Sequence, residues 1–402
     1  MNQSSIFEAS PPSHSTSAAN FGDDVDFLTK HTEMVILSDR EGSAKVAIAP
    51  AWQGRVMTST ANGAEGLSFG WINRSLIASG EFQSHVNVFG GEDRFWLGPE
   101  GGQFSIFFAP GAKFELDDWF TPAALDTMPF QLTSRTNDTA GFAANFYLSN
   151  YSGTRFDVKV EREVRLLDQH AGWRELGIPV ASGCHMVAYE THNRLINVGK
   201  LQWRRETGLL SVWILGMFKP SATTTIIVPI KPGPESELGP RVTSDYFGDV
   251  PPERLVVRED AVFFSGDGRF RSKIGVSPRR SKGVLGSYDS ANGVLTIMRF
   301  SQPACVTDYV NSLWKLQDNP YDGDAINSYN DGPPEPGAKP LGPFYELESS
   351  SPAVALEPGQ DHTHIHCTIH LTGPEAALAA VAEATLGVSL TRIRSELGGA
   401  SS

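Results

Sequence analysis

The stretch Asp361–Leu371, "DHTHIHCTIHL", decides how the rest of the chain is read. At a strand's period of two, His362, His364, His366, Thr368 and His370 share one face, and Thr363, Ile365, Cys367, Ile369 and Leu371 share the other. One face is apolar and the other is not, so the segment is a strand with its back in a core. The histidine face meets water, a metal or a substrate. His-x-His spacing occurs in some zinc sites because alternate residues aim their imidazoles the same way, but no nearby cysteine or acid completes a signature. A structural face, a ligand contact and a metal site all stay open, and no metal ion or cofactor is assigned.

Outward from this strand the pattern repeats. Short runs rich in Val, Ile, Phe, Thr and Trp recur between Gly, Pro, Asn and Asp, among them "EMVILSD", "KVAIAP", "QFSIFFAP", "FDVKVEREVRLLD", "GLLSVWILGMF", "TTTIIVPI", "AVFFSG" and "GVLTIMRF". Short strands at such intervals indicate an all-β sandwich or barrel of antiparallel strands. Near the end, "GPEAALAAVAEATLG" reads as a helix, with Pro374 and Glu375 at its start and Gly387 as its stop. "DNPYDGDAINSYNDGPPEPGAKPLGP", Asp318 to Pro343, is read as a long loop of turn formers placed for function.

Composition narrows the partners. The chain has 402 residues and a net charge of −13 at pH 7, with no cluster of Lys and Arg, which argues against nucleic acid or an anionic membrane. A neutral or cationic small molecule stays open as the partner, and so does the oligomeric state. Cys184, Cys305 and Cys367 are few, odd in number and far apart, which suits a reducing, cytoplasmic location. The first residues show neither a secretory leader nor apolar periodicity, so 1–25 is expected to be a mobile tail ahead of one domain over 26–398.

Three stretches can carry chemistry. In "HVNVFGGEDRFWLGPEGGQFSIFF", glycines surround Glu92, Asp93, Arg94, Trp96 and Glu100. Carboxylates and Arg pair with sugar hydroxyls while an aromatic ring covers a pyranose face, so these residues are binding candidates; a tight hairpin with an internal ion pair is the alternative. In "FYELESSSPAVALEPGQ", Glu346 and Glu348 fall on one strand face with Cα atoms about 6.5–7 Å apart. Burial of such a pair lifts one pKa toward the range a general acid or base needs. In "YETHNRLINVG", His192 and Asn193 form a polar cluster, with His192 and His185 as acid candidates. Asn327, Asn330 and Asp331 of the long polar segment are further candidates for binding hydroxyls.

These residues carry a resemblance. "ELESSSPAVALEPGQDHTHIHCTIHL" resembles the C-terminal end of aldose 1-epimerases (galactose mutarotases), and "THNRLINVG" is loosely similar to a middle strand of that family. The chain looks closer still to an uncharacterised bacterial family grouped with the galactose mutarotase-like proteins, through "QGRVMTST", "GGEDRFWLGPEGGQ", "NSYNDGP" and "YELESSSPA". The resemblance covers residues 26 to 390. It implies an antiparallel supersandwich with a short C-terminal helix, and a concave face that holds a sugar. It also implies that Glu348 is the base for the anomeric hydroxyl proton. Asn193, not His192, occupies the column of the family's acid histidine.

The expectation is a carbohydrate-active protein resembling aldose 1-epimerases, with Glu348 as base and His192 or Glu346 beside it. A glycoside hydrolase or a lyase using the paired carboxylates is a second reading. Non-catalytic sugar binding is a third.

Overall fold

The structure is a computed structural model and describes residues 19–397. Most of the tail expected over 1–25 lies outside these residues. The described part of it is ordered, however, because a helix spans Phe21–Thr29, with the Asn20 side chain accepting from the Asp23 backbone N–H and the Asp23 carboxylate answering at Asn20. The tail boundary therefore falls too late.

Eighteen strands run through the described residues: β1 Val35–Ser38, β2 Lys45–Ala49, β3 Arg55–Thr60, β4 Arg94–Gly98, β5 Gln131–Arg135, β6 Thr139–Ser149, β7 Arg155–Leu166, β8 His185–Asn197 and β9 Ser211–Phe218, followed by β10 Thr224–Pro229, β11 Leu255–Val257, β12 Ala261–Ser265, β13 Ser272–Val276, β14 Val284–Asp289, β15 Val294–Phe300, β16 Ile326–Asn330, β17 Tyr345–Ser350 and β18 Asp361–Thr372. All strand pairs within the sheets are antiparallel. A ten-stranded sheet runs β11-β12-β10-β14-β15-β18-β8-β7-β6-β5, a five-stranded sheet runs β13-β16-β17-β9-β4, and β1-β2-β3 form a third. The result is an antiparallel, all-β sandwich of packed sheets followed by a C-terminal helix, the architecture that the resemblance implied.

Strand parity explains the layering. On β18, Cys367, Ile369 and Leu371 pack outward against the helices Gln169–Leu176 and Glu375–Leu386, in a cluster with Trp173, Leu378 and Val381. Ile369 and Leu371 are fully buried, each worth roughly 1.5–3 kcal/mol. The helix Glu375–Leu386 starts after Pro374 and stops at Gly387, whose φ of 69° is left-handed. No single described helix is long and apolar enough to cross a membrane.

The opposite parity of β18 faces the five-stranded sheet. His364, His366 and His370 are wholly enclosed between the two sheets. Ser349 Oγ lies 2.9 Å from His364 Nε2 and 2.7 Å from His366 Nδ1. His370 sits between Thr296 Oγ1, 2.8 Å from Nδ1, and Glu92 Oε2, 3.1 Å from Nε2, with its ring stacked on Phe69 at 4.3 Å. Burial lowers the His366 pKa to about 4 and holds that of His364 well below the usual imidazole range, so both rings are neutral. The histidine face is structural, and none of its imidazoles reaches the cleft described below.

Two sequence expectations fail on secondary structure. "QFSIFFAP" is not a strand. Ile106, Phe107 and Phe108 enter the core from a turn in which Ser105 Oγ bonds the Glu100 carbonyl and accepts from the Phe107 N–H. The long polar segment, conversely, contains β16, which pairs with β13 on one side and β17 on the other.

Candidate active site

The open face of the five-stranded sheet is built by alternate residues. β4 contributes Arg94 and Trp96, β9 Trp213, Leu215 and Met217, β17 Glu346 and Glu348, β16 Asn327 and Tyr329, and β13 Lys273. Antiparallel register sets Arg94, Leu215, Glu348 and Asn327 in one row across the sheet. Over this face lies a cleft of about 550 Å³, walled by the loops carrying His85, Trp119, Phe247, Trp314, Asp331 and Phe344. That volume lies within the range of small-molecule sites.

Aromatic rings form one wall. Trp213 stands edge-on to Trp96 at 5.5 Å between centroids, and Trp119 is stacked between Phe107 at 5.7 Å and Trp314 at 5.9 Å. The Arg94 guanidinium lies 4.4 Å from the centre of the Trp96 ring and donates to Glu346 Oε1 at 2.8 Å.

The two carboxylates occupy different positions. Glu346 lines the cleft and is 5% exposed, whereas Glu348 is fully enclosed just behind it. Glu348 Oε2 accepts from Trp213 Nε1 at 2.8 Å and from Lys273 Nζ at 3.3 Å, while Oε1 has no partner. Burial pushes the Glu346 carboxyl up to about 8; Arg94 opposes the rise and Glu348 adds to it. Burial alone would lower the Lys273 pKa, but Glu348, Glu100 and Glu346 outweigh it and raise the net value, so the ammonium persists. Glu100 is raised mainly by burial, as is Asp331, which accepts from Tyr329 Oη at 2.8 Å and from the Gly342 N–H at 2.8 Å. Beneath Trp213, Asp324 is pushed up to about 6 by burial and accepts from Tyr246 Oη at 2.5 Å, and Asn327 donates to that same Tyr246 oxygen at 3.1 Å.

Of the residues singled out in the sequence, the fold brings together Glu346, Glu348, Arg94, Trp96, Glu100, Asn327 and Asp331. The remaining candidates lie elsewhere. Glu92 is inside, accepting from Ser59 N at 2.6 Å, Ser59 Oγ at 2.8 Å and Tyr189 Oη at 3.1 Å. Asp93 is ion-paired with Arg162 at 2.5 Å and accepts from Thr191 Oγ1 at 2.9 Å; Arg162 in turn donates to Asn193 Oδ1. These groups are buried between the sheets, and they hold the sheets together. Gly90 and Gly91, at φ of 96° and 111°, make the turn that sends Glu92 and Asp93 inward before β4 begins. Asn330 is also internal, accepting from the Gly268 N–H at 2.8 Å and donating to the Phe270 carbonyl at 2.9 Å. His192 is on the outer face of the ten-stranded sheet, 3.0 Å from Glu190 Oε2, so it cannot serve as the acid in this cleft.

Sequence reasoning missed Lys273, Arg271, Trp119 and Trp314. "RSKIGV" did hold a signal for the first two: cations at alternate positions of an otherwise apolar strand lie on one face.

The profile of a family of unknown function, DUF6786, matches residues 19–397. No curated protein matches the sequence. Among solved structures, the Slr1438 protein of Synechocystis sp. PCC 6803 aligns with a TM-score of 0.50 at 12% identity, covering 85% of this chain and 96% of that one. A provisionally assigned aldose 1-epimerase of Escherichia coli K12 aligns at 0.48 with 13% identity, covering 85% and 99%. A galactose mutarotase-like protein of Lactobacillus casei ATCC 334 aligns at 0.45 with 12% identity, covering 84% and 100%. At these identities the likeness is one of fold.

Proposed function

We propose that this chain, which belongs to the DUF6786 family, is a carbohydrate-active protein that interconverts the anomers of a sugar bound in the cleft of the five-stranded sheet. One observation carries the reading: polar groups without partners gather around two carboxylates that share a strand face. Arg94 Nε, Trp96 Nε1, Trp119 Nε1 and Glu348 Oε1 are all buried and unpaired. Buried polar groups are ordinarily satisfied, so a ligand rich in hydroxyls, donating to some and accepting from others, is the complement.

In this reading Trp213 and Lys273 hold one oxygen of Glu348 and leave the other to take the anomeric hydroxyl proton. Glu346, which keeps its proton near neutrality, supplies one to the ring oxygen. The ring opens, C1 rotates, and closure reverses both transfers. The aromatic wall covers the sugar's apolar face. Glu348 is wholly enclosed behind the residues that line the cleft, so turnover requires a neighbouring side chain to shift. That cover also favours a second reading, in which the cleft binds sugar without turning it over.

Polarimetry on freshly dissolved α-aldoses separates the two. Catalysis predicts decay of rotation faster than buffer, lost in Glu348→Gln and in Glu346→Gln. Ligand-induced thermal stabilisation with buffer-rate decay selects binding alone. Neither effect with any sugar refutes both.

A further inference from the structure

Arg271 immediately precedes β13, two residues before Lys273 and on the same parity, and it lines the cleft. The other cations on this sheet face are committed: Arg94 to Glu346 and Lys273 to Glu348. Arg271 takes no carboxylate within ion-pair distance among the described residues. Its guanidinium is instead 3.9 Å from the centre of the Phe247 ring, which stands edge-on to Tyr329 at 6.0 Å. Stacking fixes the plane of the guanidinium while leaving its N–H edge unused, which is the preorganisation that bidentate anion recognition needs. Lys339, exposed at the rim, adds a second cation. Arg94, Arg271, Lys273 and Lys339 thus face the acids Glu100, Asp117, Asp331 and Glu346 around the cleft, and burial raises the pKa of Glu346, Glu100 and Asp331.

We infer that the cleft takes an acidic saccharide, whose carboxylate or phosphate pairs with Arg271 while the sugar ring lies along the tryptophan wall. This rests on the saccharide reading above and adds the substrate class. The residues give the chemistry of an oxyanion on a sugar; which oxyanion is decided by the ligands used.

Isothermal titration of the full chain at low and moderate salt is the test, with D-glucose and D-galactose against D-glucuronate, D-galacturonate and D-glucose 6-phosphate. Acidic sugars are expected to bind at least about 10-fold more tightly than neutral ones. Arg271→Gln should weaken the acidic sugars by about 10- to 100-fold, as expected for a charge-assisted pair, and the neutral ones by less than about 2-fold. Preference for the uronates or for the phosphate identifies the anion. Arg271→Lys keeps the charge but loses the fork, and should weaken the acidic sugars by an intermediate factor even if the glutamine variant folds poorly. Equal binding of neutral and acidic sugars, or an acidic preference untouched in both variants, overturns the inference and leaves the saccharide reading standing. Absence of binding by every sugar removes both.

Discussion

Removing the ammonium beside Glu348 is the most direct perturbation of the site. Lys273→Met keeps the stem of the side chain and deletes a charge 3.3 Å from Glu348 Oε2, in a pair whose side chains are 8% and 0% exposed. At that distance and an effective dielectric of about 20, the attraction is roughly 5 kcal/mol. The methionine no longer has to be desolvated as a cation, which offsets part of the loss, and the Trp213 N–H remains. Breaking buried pairs from one side typically costs about 3–5 kcal/mol because the other charge stays behind, and about 4 kcal/mol is expected here. For 402 residues the unfolding entropy is about 0.8 kcal/mol/K, so scanning calorimetry at pH 7 should show the melting temperature falling by about 5 °C. Lys273→Met/Glu348→Gln, which leaves no orphaned carboxylate, should recover more than half of that. A single variant within about 1 °C of the parent, or a double variant no better than the single, would refute the placement of Lys273 as the counter-charge.

The Glu346 pKa is raised from 4.5 to about 8 on folding, so the folded state binds more protons than the unfolded one across that interval and stability declines as pH rises through it. Below pH 6.5 the histidines oppose this, since His366, lowered to about 4, stays neutral when folded and its contribution is lost as pH falls from 6.5 through 4. Calorimetry should therefore show a falling melting temperature between pH 6.5 and 8 that is flattened in Glu346→Gln; an unchanged slope in that variant removes Glu346 as its source. His366→Gln should reduce the acid-side loss between pH 4 and 6.5, and an unaltered acid limb would count against the neutral interior imidazole. Gly90→Ala places a methyl 2.1 Å from the Trp71 carbonyl at φ 96°, and a loss exceeding about 3 kcal/mol in chemical unfolding is expected; a loss under about 1 kcal/mol would contradict the turn geometry.

How far the sequence reaches depends on how much of each element's pattern is its own. β18 is long, and its strict alternation matches two different environments, so its being a strand with one face in a core was legible, whereas its enclosure on the histidine face was not. The helix Glu375–Leu386 was legible because Pro374 and Gly387 bracket alanine-rich turns. β16 was not, because five residues between Asp, Gly and Pro look like loop, and their extended form comes from pairing on both sides. "SIFF" misled in the opposite sense: consecutive apolar residues show burial, and a buried turn satisfied by Ser105 meets that demand as well as a strand does. The short helix Gln169–Leu176, capped by Asp168, carried the signal of Asp followed by a helical turn, but it is too brief for periodicity to show.

For the site, alternation shows which residues share a face but not which face is open, and in this molecule polarity does not break the tie. Both faces of the five-stranded sheet are polar: one carries Glu346, Glu348 and Lys273, the other Ser328, Ser349 and Asn330 against the histidines. Glu92 and Asp93 looked like cleft residues for the same reason, being acids beside glycines, yet the turn carries them to the interior while Arg94, the next residue, begins the strand outside. What separates the two layers is charge balance. Inside, Asp93 meets Arg162, Glu92 is surrounded by four groups, the imidazole nitrogens left unpaired belong to neutral rings, and Arg55, whose Nε is also unpaired, is held by the Gly90 carbonyl and Gln53 Oε1 while burial lowers its pKa to about 9. At the cleft the unpaired atoms include Arg94 Nε and Glu348 Oε1, members of ionisable groups, and the Arg271 guanidinium stands beside them with a ring for company and no carboxylate. A fold gains nothing by leaving such groups incomplete, and their gathering along one open cleft, with two carboxylates among them, is what a bound polar ligand explains.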